Sequence, residues 1–228
     1  MSLLGEALLV LWSDVLPEAE AEWKAWHVRE HMPDRMTVPG IELGRRYLNK
    51  AADRHQTFMM YEARSLQVFK SAAYLAQMNN PSALTRKLLP SIRNILRGVC
   101  RVVASDGAGV GEAIAAVRIV LAEPELGIDS RPATGLIEVA LDQMGVIGAH
   151  LAVVDRAVTG IPTTEQKLRH DALDALDAIL ILEGSNRADI TGAAADILKT
   201  PAFGSLGASS TAAGVYDLVY LLSATTAG

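Results

Sequence analysis

The chain has a single cysteine, Cys100, among 228 residues, so it can build neither an intrachain disulfide nor a cysteine-rich zinc site. That scarcity suits a reducing compartment and points to a cytoplasmic protein rather than a secreted one. Basic charge is also short. Its 21 Lys and Arg stand against 26 Asp and Glu, a net of −5 with no basic block, so the electrostatic footprint of a nucleic-acid binder is missing. No apolar run approaches the roughly 20 residues of a membrane span. The short apolar stretch over 7–12 has no Lys or Arg before it and no small-residue cleavage pattern after it, so it does not read as a signal peptide. What the chain does have is apolar residues, half of the total, enough for a sizeable core. We expect a soluble globular protein that binds neither nucleic acid nor membrane.

Residues 6–13 are rich in Leu and Val and too short for a helix before Pro17, so they read as a buried strand. Pro17 suits a first helical turn, Glu18, Glu20 and Glu22 favour its positive end, and Arg29 and Arg35 its negative end. This predicts a helix over 17–35, bent or frayed near Pro33. After the Pro39-Gly40 turn, 41–48 alternates as a half-buried strand does, 53–56 makes a polar turn, and 57–63 is the partner strand. A helix over 65–77, a helical segment over 81–95 interrupted at Pro90, and a strand over 96–104 complete the order strand, helix, strand, strand, helix, strand. That order is the ferredoxin-like unit.

The rhythm then resumes, with strands over 116–122, 146–154, 178–183 and 215–222 and helices over 134–144, 165–176 and 188–198. The expected fold is therefore α+β, with two tandem ferredoxin-like (βαββαβ) units over 1–105 and 116–228 joined by a glycine-containing linker over 106–115. One larger α+β domain is the alternative.

One segment concentrates the chemistry. Two of the three Trp and two of the five His fall between Trp23 and His31. On a helix Trp23, His27 and His31 share a face at i, i+4 and i+8, with Trp26 and Glu30 on the neighbouring stripe. Imidazole titrates near neutrality, and a carboxylate can fix its tautomer, so this face suits acid–base work. Arg45 or Arg46 could stabilise an enolate or carboxylate, and Tyr47 could supply a hydrogen bond. The plainer reading makes the tryptophans core, the histidines partners at a helix end, and the arginines a solvated strand edge.

Other motifs carry less. His at i and i+4 is metal-ligand spacing, but no third ligand is evident and Val28, not Glu, follows His27. Gly107, Gly109 and Gly111 miss the dinucleotide fingerprint at Glu112. Gly204-Ser205-Leu206-Gly207 lacks the first glycine of a nucleophile elbow. Cys100 reads as a buried inert thiol, His150 as a core or barrel-facing residue, and His55 and His170 as exposed.

The string from Trp26 to Tyr47, WHVREHMPDRMTVPGIELGRRY, resembles the signature of EthD-like and related proteins of the dimeric α+β barrel superfamily. On that pattern His31, followed by Pro33, matches the family histidine better than His27 does, and Glu30, Arg46 and Tyr47 fall on adjoining positions. The resemblance implies a ferredoxin-like sheet paired with a second sheet into a barrel, with a small-molecule cavity between sheet and helices. The barrel would close within one chain or between two, with a homodimer expected in either case. The helix expected over 134–144 has neither Trp nor His, so only the first half carries the constellation.

Two functions follow. One is a cofactor-independent enzyme acting on a small apolar, aromatic or polyketide-like compound, with His31 as general acid or base, Glu30 or His27 as its orienter, and Arg46 and Tyr47 as anion stabilisers. The other is a non-catalytic small-molecule-binding or assembly protein. No cofactor or metal is expected; haem on His31 or His150 is a minor third reading.

Overall fold

The computed structural model describes residues 3–124, 128–169 and 175–224. Its strands are β1 (Ala7–Val15), β2 (Ile41–Leu48), β3 (Thr57–Ala63), β4 (Ile92–Gly107), β5 (Ala113–Leu121), β6 (Val146–Val154), β7 (Ala178–Gly184) and β8 (Ala208–Ser223). They close into one antiparallel barrel in the order β1-β3-β2-β8-β5-β7-β6-β4. Closure is therefore complete within a single chain. The helices are α1 (Glu20–Trp26), α2 (Met32–Met36), α3 (Ala72–Asn79), α4 (Ala83–Leu88), α5 (Ser130–Leu141), α6 (Arg156–Thr159), α7 (Thr164–Leu168), α8 (Arg187–Ile197) and α9 (Pro201–Gly204). Among the described residues no helix is long and apolar enough to cross a membrane.

Strand alternation sorts the side chains. Leu8, Val10 and Trp12 of β1, Phe58 and Met60 of β3, Ile114 and Ala116 of β5, and Ile179 and Ile181 of β7 fill the barrel with Tyr216, leaving a packed interior rather than a pore. The alternate residues face outward under the helices. In the second half these are aliphatic, with Ala115, Val117, Leu180 and Leu182 meeting Ala133, Leu136 and Ile137 of α5 and Ile190 and Ile197 of α8. In the first half Met59 of β3 meets Trp23 and Trp26 of α1, while Tyr61 packs with Met32 and Tyr74.

Several boundaries differ from the sequence expectation. The helical segment expected to run to residue 95 stops at Ser91, because β4 begins at Ile92. The expected linker is shorter than 106–115: β4 runs through Gly107 and β5 starts at Ala113, leaving only 108–112 between strands. Both long strands change partner part-way. β4 leaves β1 for β6 near Cys100, and β8 leaves β5 for β2 near Asp217, which makes the two seams of the barrel. The helix expected over 165–176 is observed only as α7; residues 170–174, including His170, lie outside the described residues.

Candidate functional site

Helix α1 continues into α2 through one π turn at His27–His31, in which the Met32 N–H reaches back to the His27 carbonyl. Pro33 explains it: proline has no N–H to give, and its ring would collide with the carbonyl of Arg29, four residues back. Widening the turn by one residue relieves that collision, and such turns recur at functional sites. Gly44 lets this helix come down onto β2, since a Cβ there would stand 3.2 Å from both the Met32 sulfur and the Tyr61 ring.

The π turn sets His27 and His31 side by side, ring centroids 5.5 Å apart, among the rings of Trp23 and Trp26. His27 is fully buried, its Nε2 lies 3.0 Å from the Met59 sulfur, and its Nδ1 has no hydrogen-bond partner. Burial, reinforced by the charge of Arg46, pushes its pKa well below the usual 6.5. His31 is half-buried, and burial together with Arg35, His27 and Arg169 pushes its pKa down likewise. Both imidazoles are neutral near neutral pH, hence bases.

Arg46 and Tyr47 part company. They are consecutive on β2, so they face opposite sides of the sheet. Arg46 points outward to the helices, with its guanidinium 5.3 Å from the Trp23 ring and 5.7 Å from the Tyr220 ring. It is 8% exposed, its Nη1 has no partner, and burial lowers its pKa. Tyr47 points into the barrel, where its hydroxyl accepts from Arg45 at 3.1 Å. Glu30 orients neither histidine: its carboxylate accepts from the Ser82 and Thr85 hydroxyls at the start of α4.

Two cavities adjoin this region. A partly open one of about 300 Å³ is bordered by Glu20, Trp23, Lys24, Arg46, Tyr47 and Lys50. That is the lower end of the range for small-ligand pockets. A second, of only about 30 Å³, touches His31, Arg35, Tyr61, Tyr74, Arg97 and Arg169. His27 stands between them, 5.1 Å from the Trp23 ring and against Met59, which borders the smaller cavity. The structure thus brings His27, His31 and Arg46 under one helix and leaves Glu30 and Tyr47 outside that group.

Sequence reasoning missed a buried polar network inside the barrel. Arg45 bridges Glu62 and Glu183, donating from Nε to Glu62 at 2.9 Å and from Nη1 to both Glu183 oxygens at 2.9 and 2.8 Å, and none of the three side chains is exposed. Glu183 also accepts from the Gly111 N–H at 3.0 Å and contacts His150 Nε2 at 3.2 Å, while His150 Nδ1 pairs with the Ser105 hydroxyl at 2.8 Å. Burial pushes the Glu183 carboxyl up, but the His150 hydrogen bond and the Arg45 charge outweigh it and leave it at about 2. The signal was available: alternation sends one of Arg45 and Arg46 inward, and Glu62 and Glu183 each end an apolar strand. His55, read as exposed, is buried at 2% exposure, and Arg118, distant in sequence, donates to its Nδ1 at 3.0 Å. Cys100 is buried, and its thiol is pushed up to about 12 by burial.

A metal or porphyrin needs ligands facing a space. Among the described residues no three His, Cys, Asp or Glu side chains cluster as a metal site. His150 has both ring nitrogens engaged in the packed interior, and the void that His31 borders, at about 30 Å³, is far too small for a porphyrin, so neither fits as a haem ligand there.

No family model and no curated protein matches the chain. Solved structures do match over nearly its whole length. A Fusobacterium nucleatum protein provisionally named a monooxygenase has a TM-score of 0.56 at 9% identity, covering 97% of this chain and 96% of its own. An anthrone oxidase-like protein gives 0.55 at 11%, covering 96% and 92%. Chlorite dismutase from Candidatus Nitrospira defluvii, in complex with imidazole, gives 0.57 at 16%, covering 94% and 91%. At these identities the likeness is one of fold alone: an α+β fold built on an eight-stranded antiparallel barrel.

Proposed function

We propose that this protein is an EthD-like α+β barrel protein that binds a small aromatic or polyketide-like compound as its oxyanion, with no cofactor and with Arg46 as the anchor. The observation that carries the reading is the Arg46 guanidinium. It is a nearly buried cation that makes no ion pair or hydrogen bond to any described residue, on the wall of a ligand-sized cavity whose one carboxylate, Glu20, is paired with Lys24, beside the flat face of Trp23. A buried cation without a counter-charge is costly, and an anionic ligand removes that cost. An aromatic ring on Trp23 with its oxygen on Arg46 would use both features. The ligand suggested by the name of one structural neighbour, an anthrone, has that character in its ionised form.

The reading treats the barrel as two tandem ferredoxin-like units, 1–105 and 116–228. Support comes from strand order, since β4-β1-β3-β2 and β8-β5-β7-β6 repeat one arrangement. In its catalytic form the reading gives proton transfer to the neutral imidazoles, His27 directly behind Trp23 and His31 beyond it.

Para-nitrophenol tests it, because its phenolate is coloured and its phenol is not. Wild-type protein is expected to bind it and hold it as phenolate below its free ionisation midpoint. Arg46→Met is expected to abolish that colour and to weaken naphthoate about tenfold, or ~1.4 kcal/mol, while leaving uncharged naphthalenemethanol unchanged. Equal naphthoate affinity in both proteins would overturn the reading.

A further inference from the structure

The smaller cavity is not explained by the ligand site above. At about 30 Å³ it has room for only one or two water-sized occupants. Two polar groups border it without partners. The Tyr61 hydroxyl is buried and makes no hydrogen bond, and its pKa is raised by burial, so it is a protonated donor. His31 also makes no hydrogen bond to any described residue, although its ring stacks against Trp26 at 4.4 Å between centroids.

The charges around these two groups are unequal. Arg35 and Arg97 border the void with one carboxylate, Glu165; Arg169, which also borders it, is engaged elsewhere and is not counted in this balance. Arg35 is paired with Glu165 and donates to Gln77 at 3.0 Å. Arg97 has only neutral partners, the Thr159 carbonyl and the Tyr74 hydroxyl, each at 3.2 Å. A void of that size, with an unsatisfied O–H donor and an excess of positive charge, favours an anion over water.

We propose that this void is a binding site for one small inorganic anion of halide size, seated between the Tyr61 hydroxyl and the His31 imidazole. The anion accepts a hydrogen bond from Tyr61 and offsets the field of Arg35 and Arg97. The charge of Arg35 is part of what keeps His31 unprotonated, so an anion seated beside both and protonation of His31 are coupled, each favouring the other by the same factor. The site therefore sets how good a base His31 is, independently of what occupies the larger cavity.

Bromide is the probe. Crystals grown in sodium bromide are expected to show one anomalous peak within hydrogen-bonding reach of the Tyr61 hydroxyl, absent from Tyr61→Phe. In solution, the His31 ring proton followed by NMR is expected to titrate at higher pH in sodium bromide than in sodium gluconate of equal ionic strength, and the two curves are expected to coincide in Tyr61→Phe. If that variant does not fold, Arg97→Gln replaces it, with a reduced shift expected. A water that bromide does not displace, or identical His31 titrations in the two salts, would overturn the proposal.

Discussion

The two helices that cover equivalent parts of the barrel, α1 with α2 in the first half and α5 in the second, lie over very different floors. Beneath α5 the contacts are Ala, Val, Leu and Ile, and no buried side-chain polar atom of the described residues over 113–168 or 175–224 lacks a partner. Beneath α1 and its π turn, Trp23 Nε1, His27 Nδ1, Arg46 Nη1 and the Tyr61 hydroxyl are all buried without one. Unsatisfied buried groups each cost about 1–3 kcal/mol, so the floor under α1 and its π turn carries a burden that the floor under α5 does not. One scaffold therefore holds a region built for packing beside a region whose polar groups are left open for something to meet them.

The network that joins the halves should give the largest effect. Arg45 of the first half neutralises Glu183 of the second as well as Glu62. Arg45→Met leaves two carboxylates buried without their cation, and a loss of about 3–5 kcal/mol is expected from denaturant unfolding. If the loss is under about 1 kcal/mol, the halves are not held by this network.

Next come paired substitutions under the two helices. Leu136→Ala under α5 empties a fully buried aliphatic site and should cost about 2–5 kcal/mol. His27→Leu under the π turn exchanges a buried imidazole with an orphaned nitrogen for an apolar side chain, and it should cost under about 1 kcal/mol. Equal losses would erase the contrast between the two floors.

Much of this contrast was legible in the sequence, and its limits have physical causes. The strands over 57–63 and 146–154 were read to the residue, because alternation and flanking turns are local signals. The ends of β4 were not, because a strand that trades β1 for β6 half-way is defined by partners far away in sequence. The clustering of Trp23, His27, His31 and Arg46 was visible from spacing. That Tyr47 turns away from them follows from the two-residue period, which fixes that Arg46 and Tyr47 oppose but not which one faces the core. His55 sits in a polar stretch and looked exposed; it is buried against residues distant in sequence, Arg118 among them, which no local pattern shows.

A smaller effect separates the halves by pH. His27 and His31 have folded pKa values below the unfolded 6.5, so below that pH the unfolded chain binds more protons than the folded one. Stability is full above 6.5 and is lost as pH falls toward the depressed values, by up to ~1.4 kcal/mol per pH unit for each histidine. Urea midpoints measured between neutral pH and mild acid should fall for the wild type and fall less steeply for His27→Leu. An unchanged slope in that variant would place the acid sensitivity elsewhere.

The smallest effect is the most specific. In Tyr61→Phe the ring that packs with Met32 and Tyr74 stays, and only a hydroxyl without a partner is removed. With the neighbouring void empty, the variant should equal or exceed the wild type in stability by less than about 1 kcal/mol, since the desolvation cost of an unpaired group disappears. With an anion in the void the order should reverse, because the hydroxyl then gives the wild type a charge-assisted bond that the variant lacks. Thermal melts of both proteins in bromide and in gluconate distinguish the two cases: a crossing of the stability order with the salt shows that the open polar groups under the π turn are there to be met, whereas the same order in both salts makes them only a cost of the packing.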